Sequence, residues 1–165
     1  MKSFAVLVLA AAIAPAADFY TGQAARLVIG QRTFTSQDSG ATDQLLGAVG
    51  GIAYANDTLF VTDANRLGAS PLNHRVLVFR TLTQQLPQLR GEIPPDLARC
   101  PVCTGRADVI LGQPSFEAKP ELSLSDKGLR TPLAVATDGR VLAVADTDNN
   151  RVLIWRSIPV VNGQP

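Results

Sequence analysis

The stretch that decides the fold is Asn73-His74-Arg75-Val76-Leu77-Val78-Phe79-Arg80-Thr81-Leu82, because it occurs twice in the chain. The second copy is Asn149-Asn150-Arg151-Val152-Leu153-Ile154-Trp155-Arg156-Ser157-Ile158, in which five of the ten positions are identical. A self-match of this kind indicates a repeat protein and sets the fold class before any single residue is considered.

Two further segments upstream repeat in the same order. Leu27-Val28-Ile29-Gly30-Gln31 recurs as Val109-Ile110-Leu111-Gly112-Gln113, 82 residues later. Leu59-Phe60-Val61-Thr62-Asp63 recurs 83 residues later as Leu142-Ala143-Val144-Ala145-Asp146. The first unit has the longer loop after its Asp, from Ala64 to Leu72, which is rich in Gly, Ser and Pro. The chain therefore contains two tandem copies of one unit.

Each unit is predicted to form four short strands, because its β-branched and aromatic runs are bounded by Gly, Asn and Asp. The Asp138-Gly139 pair predicts a tight hairpin turn, and Asn56-Asp57 predicts the same in the first unit. No helix is expected. The predicted strands lie near 26–30, 50–55, 58–62 and 75–80 in the first unit and near 108–112, 132–137, 140–145 and 151–156 in the second.

The strands Arg75 to Phe79 and Val152 to Trp155 are apolar at successive positions, which is typical of strands covered on both faces. Repeated four-stranded units with two apolar faces favour the blades of a β-propeller, which pack between neighbours around an axis. A two-sheet sandwich is the alternative, but it would leave one polar outer face and would not explain the tandem repeat. The expected fold is all-β, with two four-stranded antiparallel blade units.

The second half of each unit resembles the NHL repeat, a propeller-blade family. The shared pattern is an apolar pair, an Asp, a polar loop, Asn-His-Arg and an apolar strand. Asn73-His74 matches the first two letters of the signature, whereas Arg75 stands in the place of Leu and the second copy has Asn149-Asn150-Arg151. The layout is also similar to large secreted bacterial NHL-repeat proteins. The resemblance covers nearly all of residues 21–165 and implies a propeller more firmly than an activity.

This interpretation divides the chain into five parts. They are a signal peptide at 1–16, a first blade unit at 17–82, a Pro-rich insertion with a Cys-x-x-Cys pair at 83–106, a second blade unit at 107–158 and the start of a third unit at 159–165. Propellers close with roughly four to eight blades, so two units form an incomplete propeller. We expect either further blades in a longer chain or the assembly of several copies, which would cover apolar terminal faces.

The N-terminal segment predicts export to the periplasm or the extracellular space. Lys2 precedes an apolar run from Phe4 to Ala14, and Ala14-Pro15-Ala16 has the form of a signal-peptidase site. The run is too short for a membrane span, which needs about 20 apolar residues, so no stable membrane anchor is expected. With 18% charged residues and a net charge of +1, the chain lacks the basic excess that nucleic acid would attract.

Cys100 and Cys103 lie in the Pro-rich insertion, and several interpretations compete for them. A local disulfide suits an exported protein. Covalent haem attachment needs a His directly after the second Cys, where Thr104 stands. Zinc would need two more ligands, and the chain has one His and no other Cys. A redox-active pair would need a thioredoxin-like context that the sequence does not provide.

The blade-signature residues are predicted to be structural. They are Asp63, Asn73, His74, Arg75, Asp146, Asn149 and Arg151. The two Asp residues are expected to accept backbone N–H bonds that shape the following turn. The two Arg residues are expected to pair with these Asp residues or with backbone carbonyls, and His74 to make a structural hydrogen bond.

The segment from Asp146 to Asn150 places oxygen ligands at alternate positions, as calcium loops do, but Arg151 stands where such loops need Gly. No catalytic, cofactor-binding or metal-binding residue is therefore assigned. The predicted function is that of an exported, non-catalytic propeller module that binds a protein, a glycan or a small ligand. The resemblance to NHL-type propellers also implies an alternative, one part of a metal-dependent propeller enzyme, a lyase or a lactonase, whose further blades lie beyond residue 165.

Overall fold

The computed structural model describes residues 21–22, 25, 27–64, 73–85, 105–118 and 121–164. Within these ranges the chain forms seven strands and two single helical turns, so the predicted all-β class is confirmed. The strands are β1 (Val49–Ala55), β2 (Thr58–Asp63), β3 (Arg75–Phe79), β4 (Val109–Leu111), β5 (Pro132–Thr137), β6 (Leu142–Asp146) and β7 (Arg151–Trp155). The helical turns are α1 (Leu82–Gln85) and a 3₁₀ turn at Thr147–Asn149, neither of which the sequence predicted. In the described part of the chain, no helix has the length and apolar character needed to cross a membrane.

The strands form two antiparallel sheets. The first sheet has the order β1-β2-β3-β4, and the second sheet has the order β5-β6-β7. In both sheets the two copies of the repeat keep the same register, since Asp63 is paired with Arg75 and Asp146 with Arg151. The repeat seen in the sequence is therefore a repeat of strand pairing.

The outer strand of the first sheet comes from the segment that the sequence grouped with the second unit. β4 pairs antiparallel with β3, and Ile110 lies opposite Leu77. The chain returns to this edge because the amide of Asp108 donates to the carbonyl of Val78 at 2.8 Å and its carboxylate accepts from the amide of Arg80 at 2.6 Å. The second sheet consequently has three strands among the described residues, where four were expected.

The two hairpin turns differ, although the sequence predicted the same turn for both. Asn56 and Asp57 both have positive φ, at 48° and 56°, and form a two-residue turn between β1 and β2. Asp138 and Gly139 instead lie in a four-residue connection between β5 and β6, in which Gly139 has a φ of 88°. The Asp138 carboxylate accepts the amide of Val141 at 2.7 Å, so its side chain closes this longer loop.

The sheets pack face to face around an apolar cluster, which we call the inter-sheet core. Its buried residues are Phe60, Val76, Val78, Val109, Leu111, Leu129, Leu142, Val144 and Trp155. β1 packs against β5, and a Cβ on Gly50 would lie 2.9 Å from the carbonyl oxygen of Leu133. Glycine is needed there because the two backbones approach too closely for a side chain.

A second cluster, the outer core, lies on the opposite face of the first sheet. Its buried residues are Leu46, Val61, Leu77, Phe79, Ala107 and Ile110. β3 is thus buried on both faces, as its apolar run predicted. β7 is not, since Val152 is 59% exposed and Ile154 is 65% exposed. The difference arises because residues outside the strands, such as Leu46 and Ala107, cover the outer face of the first sheet, whereas the side chains of β7 that face away from the first sheet are exposed.

Candidate functional site

The Asp63 carboxylate lies at the end of β2, fully buried, and accepts hydrogen bonds from both sides. Its Oδ2 accepts from Asn73 Nδ2 at 2.7 Å and from Arg75 Nε at 2.9 Å. Its Oδ1 accepts from the amides of Gly47 at 2.9 Å and Ala48 at 3.1 Å. One carboxylate therefore joins the start of β3 to the chain that leads into β1.

Arg75 is fully buried, and its remaining donors bind main-chain oxygens. Nη1 donates to the carbonyl of Phe116 at 2.6 Å, and Nη2 donates to that of Leu45 at 2.8 Å. A buried guanidinium is tolerated when a carboxylate neutralises it and its other N–H groups find acceptors. Arg75 therefore fixes two loops from separate parts of the sequence against the first sheet.

The second unit contains the same arrangement around Asp146. Its Oδ2 accepts from Arg151 Nε at 2.7 Å and from Asn149 Nδ2 at 2.9 Å, and its Oδ1 accepts from the amide of Arg130 at 2.6 Å. Arg151 Nη2 also donates to the carbonyl of Gly128 at 2.8 Å. The Arg151 side chain is 25% exposed, whereas its counterpart in the first unit is fully buried.

His74 connects the two units. Its backbone has a φ of 46°, its side chain is nearly fully buried, and Nδ1 accepts a hydrogen bond from the amide of Thr131 at 3.0 Å. Because Nδ1 is an acceptor, the neutral ring carries its proton on Nε2. Burial lowers the pKa of His74 below its usual value, and the negative charge of Glu121 acts in the opposite direction. The neutral form is therefore the one that bridges the units.

These contacts refine what the sequence predicted for the signature residues. Each Arg binds both its Asp and backbone carbonyls, so the two kinds of partner that the sequence suggested as alternatives are present together. The Asp carboxylates accept backbone N–H bonds, but these come from the segments before β1 and β5 rather than from the following turns. The sequence did not reveal this because the acceptor and donor lie 15 to 16 residues apart.

The acidic segment after β6 forms the 3₁₀ turn. Asp148 Oδ2 accepts a hydrogen bond from Thr131 Oγ1 at 2.6 Å, and Asn150 closes the turn with a φ of 52°. In the described ranges, no group of three His, Cys, Asp or Glu side chains is arranged to hold a metal ion. Cys100 and Cys103 lie outside these ranges, so the predicted disulfide remains a prediction.

Thr131 is a member of this network that the sequence did not reveal. It has a φ of 49°, its amide binds His74 and its hydroxyl binds Asp148. Nothing in the local sequence marks it, because a β-branched residue is a poor candidate for positive φ. Its conformation is imposed by partners 17 and 57 residues away in the chain.

The two ends of the sheets differ in their construction. We call the end with Asp63 and Asp146 the network end and the end with Asn56 and Gly139 the hairpin end. At the hairpin end the β1–β2 and β5–β6 turns are short, and Asn56 Nδ2 donates to the Gly139 carbonyl of the other sheet at 3.1 Å. The long connection from β3 to β4, which contains the insertion at 83–106, also leaves and rejoins the first sheet at this end. At the network end the loop from the Asp to the Asn has nine residues in the first unit and two in the second. The network end thus combines a rigid base with loops of different length.

A scan against protein-family models gives no match, and a search of curated proteins gives no significant match either.

Proposed function

We propose that this chain is part of an exported β-propeller in which each sheet is a blade, and that it is a non-catalytic module whose network end binds a protein, a glycan or a small ligand. The observation that carries the proposal is the repeated Asp–Asn–Arg network. In both units its charged groups are engaged with main-chain atoms of the loops.

The way the sheets face one another supports the blade arrangement. Val144 of the second sheet lies in the inter-sheet core, whereas its repeat counterpart Val61 lies in the outer core on the far side of the first sheet. The sheets therefore contact each other through opposite faces of the same repeat. A symmetric sandwich of two copies would bring equivalent faces together, while blades around an axis use opposite faces in turn.

The network supports a structural role for the residues that carry charge. Asp63 and Arg75 are both fully buried and paired at 2.8 Å, and their remaining hydrogen-bonding groups hold backbone atoms. Acid–base catalysis needs a group placed to contact the substrate. These side chains instead hold the loops that a ligand would contact.

The difference in loop length favours the network end as the binding face. Binding residues are commonly found on loops that a rigid scaffold positions. The loop from Ala64 to Leu72 is longer than its counterpart, and in the sequence it connects Asp63 to Asn73, two members of the buried network.

Export is part of the proposal and is supported by the apolar run from Phe4 to Ala14. Cell fractionation should find the protein outside the cytoplasm, and N-terminal sequencing should give a mature chain that starts at Ala17 or Asp18. Intact mass before and after reduction would show whether Cys100 and Cys103 are bonded in that material. A cytoplasmic protein that retains Met1 would contradict this part of the proposal.

The binding role can be tested with immobilised glycan and secreted-protein panels. Deletion of residues 65–71 gives the first loop the length of the second while keeping Asp63 and Asn73. We expect hits of the unaltered protein to be lost in the deletion variant, with its unfolding temperature nearly unchanged. A matched control replaces the same seven residues with Gly and Ser, which preserves length. Hits that persist after deletion would place binding elsewhere.

The enzyme alternative has its own outcome in the same material. Elemental analysis would measure zinc and calcium in the purified protein, and a lactone panel would measure turnover. Stoichiometric metal whose removal abolishes turnover would overturn the non-catalytic role and support the metal-dependent enzyme.

A further inference from the structure

Among the residues that the structure describes, the second sheet has an open edge and an exposed apolar face. In the described part of the chain β7 pairs only with β6, whereas its counterpart β3 pairs with both β2 and β4. The side chains on the uncovered face are Ala143, Ala145, Val152 and Ile154. The last two are 59% and 65% exposed, which is unusual for a strand rich in β-branched residues.

The repeat shows what this face is built to contact. Its counterparts in the first sheet are Phe60, Thr62, Val76 and Val78, which are at most 1% exposed. Three of them lie in the inter-sheet core, against the second sheet. The same face of the same repeat is therefore covered by another sheet in the first unit and uncovered in the second.

The described part of the chain also contains a second copy of the edge-strand sequence. Leu27–Ile29 is the repeat counterpart of β4 but belongs to neither sheet. Both segments end in a parallel bridge, from Gly30 to Leu45 and from Gly112 to Gly128. The segment before each bridge lies against a sheet. Ile29 of the first segment packs on the outer core, and Leu111 of the second segment lies in the inter-sheet core.

These positions describe two complementary halves of one interface. Ile29 and Leu46 pack on the outer face of the first sheet. Their repeat counterparts, Leu111 and Leu129, pack on the equivalent face of the second sheet. Leu27–Ile29 thus occupies the place of the outermost strand of a sheet that would precede the first one. The second sheet, for its part, has the three inner strands, and the described ranges contain no outermost strand beside β7.

We propose that a second copy of this chain completes the second sheet. Leu27–Ile29 of one copy pairs antiparallel with β7 of another, and the uncovered face of that second sheet packs on the first sheet of the copy that donates the strand. By analogy with β3 and β4, the register places Val28 opposite Leu153 and Ile29 opposite Val152. The contact is head-to-tail, so it closes into a ring or extends as a filament. It rests on the blade arrangement in the proposed function but not on ligand binding.

The geometry of the counterpart pair makes this register testable. The Ile110 amide donates to Asn162 Oδ1 at 3.1 Å, and its carbonyl accepts from the amide of Gly163 at 2.9 Å. Both groups point away from β3, so Leu77 and Ile110 form a non-hydrogen-bonded pair, with a Cα separation of about 4.5 Å. That separation lies within the range a disulfide can bridge. Cysteines at the corresponding positions 28 and 153 should therefore cross-link.

The first experiment mixes two single-cysteine proteins, both with Cys100 and Cys103 replaced by serine. One carries Val28→Cys and the other Leu153→Cys, so any link between these positions joins two chains. Mild oxidation should give a mixed dimer on a non-reducing gel, with a 28–153 peptide in its digest. Pairing Val28→Cys with Val152→Cys is the register control, because a one-residue slip turns the side chains to opposite faces. Equal yields from both mixtures, or no mixed dimer, would overturn the proposal.

The second experiment measures association without cysteines. Sedimentation velocity of the full chain should show species larger than a monomer, in proportions that rise with concentration. Val152→Asp, on the uncovered face, should shift the protein to monomer, whereas Leu124→Asp, at a position 70% exposed in a loop, should not. Circular dichroism of both variants would verify folding. A monomer at every concentration, or equal assembly of both variants, would contradict a second copy on this face.

The two proposals can fail separately. A protein that assembles and cross-links in register but binds no panel member would retain the interface and lose the binding role. A monomer whose hits depend on the loop from Ala64 to Leu72 would retain the binding role and lose the interface.

Discussion

Replacing Asp63 by Asn should destabilise this protein far more than the same change at Asp146. Asparagine keeps the size of the side chain but removes the charge and turns one acceptor oxygen into a donor. At Asp63 this change affects the ion pair with Arg75 at 2.8 Å, the bond from Asn73 and one or both backbone amides of the chain before β1.

The expected magnitudes follow from burial. Arg75 has no exposed side-chain surface, so water cannot solvate its charge once the carboxylate is lost. Removing one partner of a buried ion pair costs about 3–5 kcal/mol. The Arg151 side chain is 25% exposed and can be solvated in part. For Asp146→Asn we therefore expect the smaller loss of about 1–3 kcal/mol that is typical of a buried hydrogen-bonding group left without its partner.

Urea denaturation followed by Trp155 fluorescence would measure both free energies of unfolding. Equal m-values across the variants would show that the exposed surface on unfolding is unchanged. Adding Arg75→Met to Asp63→Asn should recover part of the loss, because it removes the uncompensated charge. A loss below about 1 kcal/mol for Asp63→Asn, which would fit a solvent-screened pair, would refute the reasoning, as would equal losses for the two Asp variants.

Three further predictions concern the contacts around this network. Burial lowers the pKa of His74, so the unfolded state takes up a proton first as pH falls. The free energy of unfolding should therefore decline below about pH 6.5. His74→Gln should remove that part of the pH dependence of the unfolding temperature. Gly112→Ala should cost more stability than Gly22→Ala in thermal unfolding, although both glycines have positive φ. A Cβ on Gly112 would lie 2.7 Å from the His74 carbonyl oxygen, whereas a Cβ on Gly22 would have open space. Equal costs would contradict the clash. Leu129→Ala should cost about 2–5 kcal/mol in urea, since this side chain is fully buried between the sheets, while Leu124→Ala should stay within about 0.5 kcal/mol as an exposed control.

Much of the local structure could be predicted from the sequence. Seven of the eight predicted strand positions are strands, since a run of β-branched residues between turn formers favours extended backbone wherever it packs. The Asn56-Asp57 turn also followed from its residues, because Asn and Asp tolerate positive φ. The pairing of Asp63 with Arg75 was anticipated from the recurrence of both residues in the two units.

Other features depended on contacts that local sequence does not encode. The sequence placed 108–112 in the second unit, but the returning chain places Val109–Leu111 beside β3, where Asp108 binds Val78 and Arg80. Strand formation depends on residue type, whereas the choice of partner depends on which edge the chain reaches.

Burial separates the two copies in the same way. The runs in β3 and β7 are nearly identical in sequence, yet the first is covered on both faces and the second on one. The sequence by itself determined the repeat, the strands and the charged pairs. The tertiary structure alone decided which sheet each strand joins, which backbone amides the carboxylates bind and which apolar face stays open, because these depend on groups brought together from distant parts of the chain.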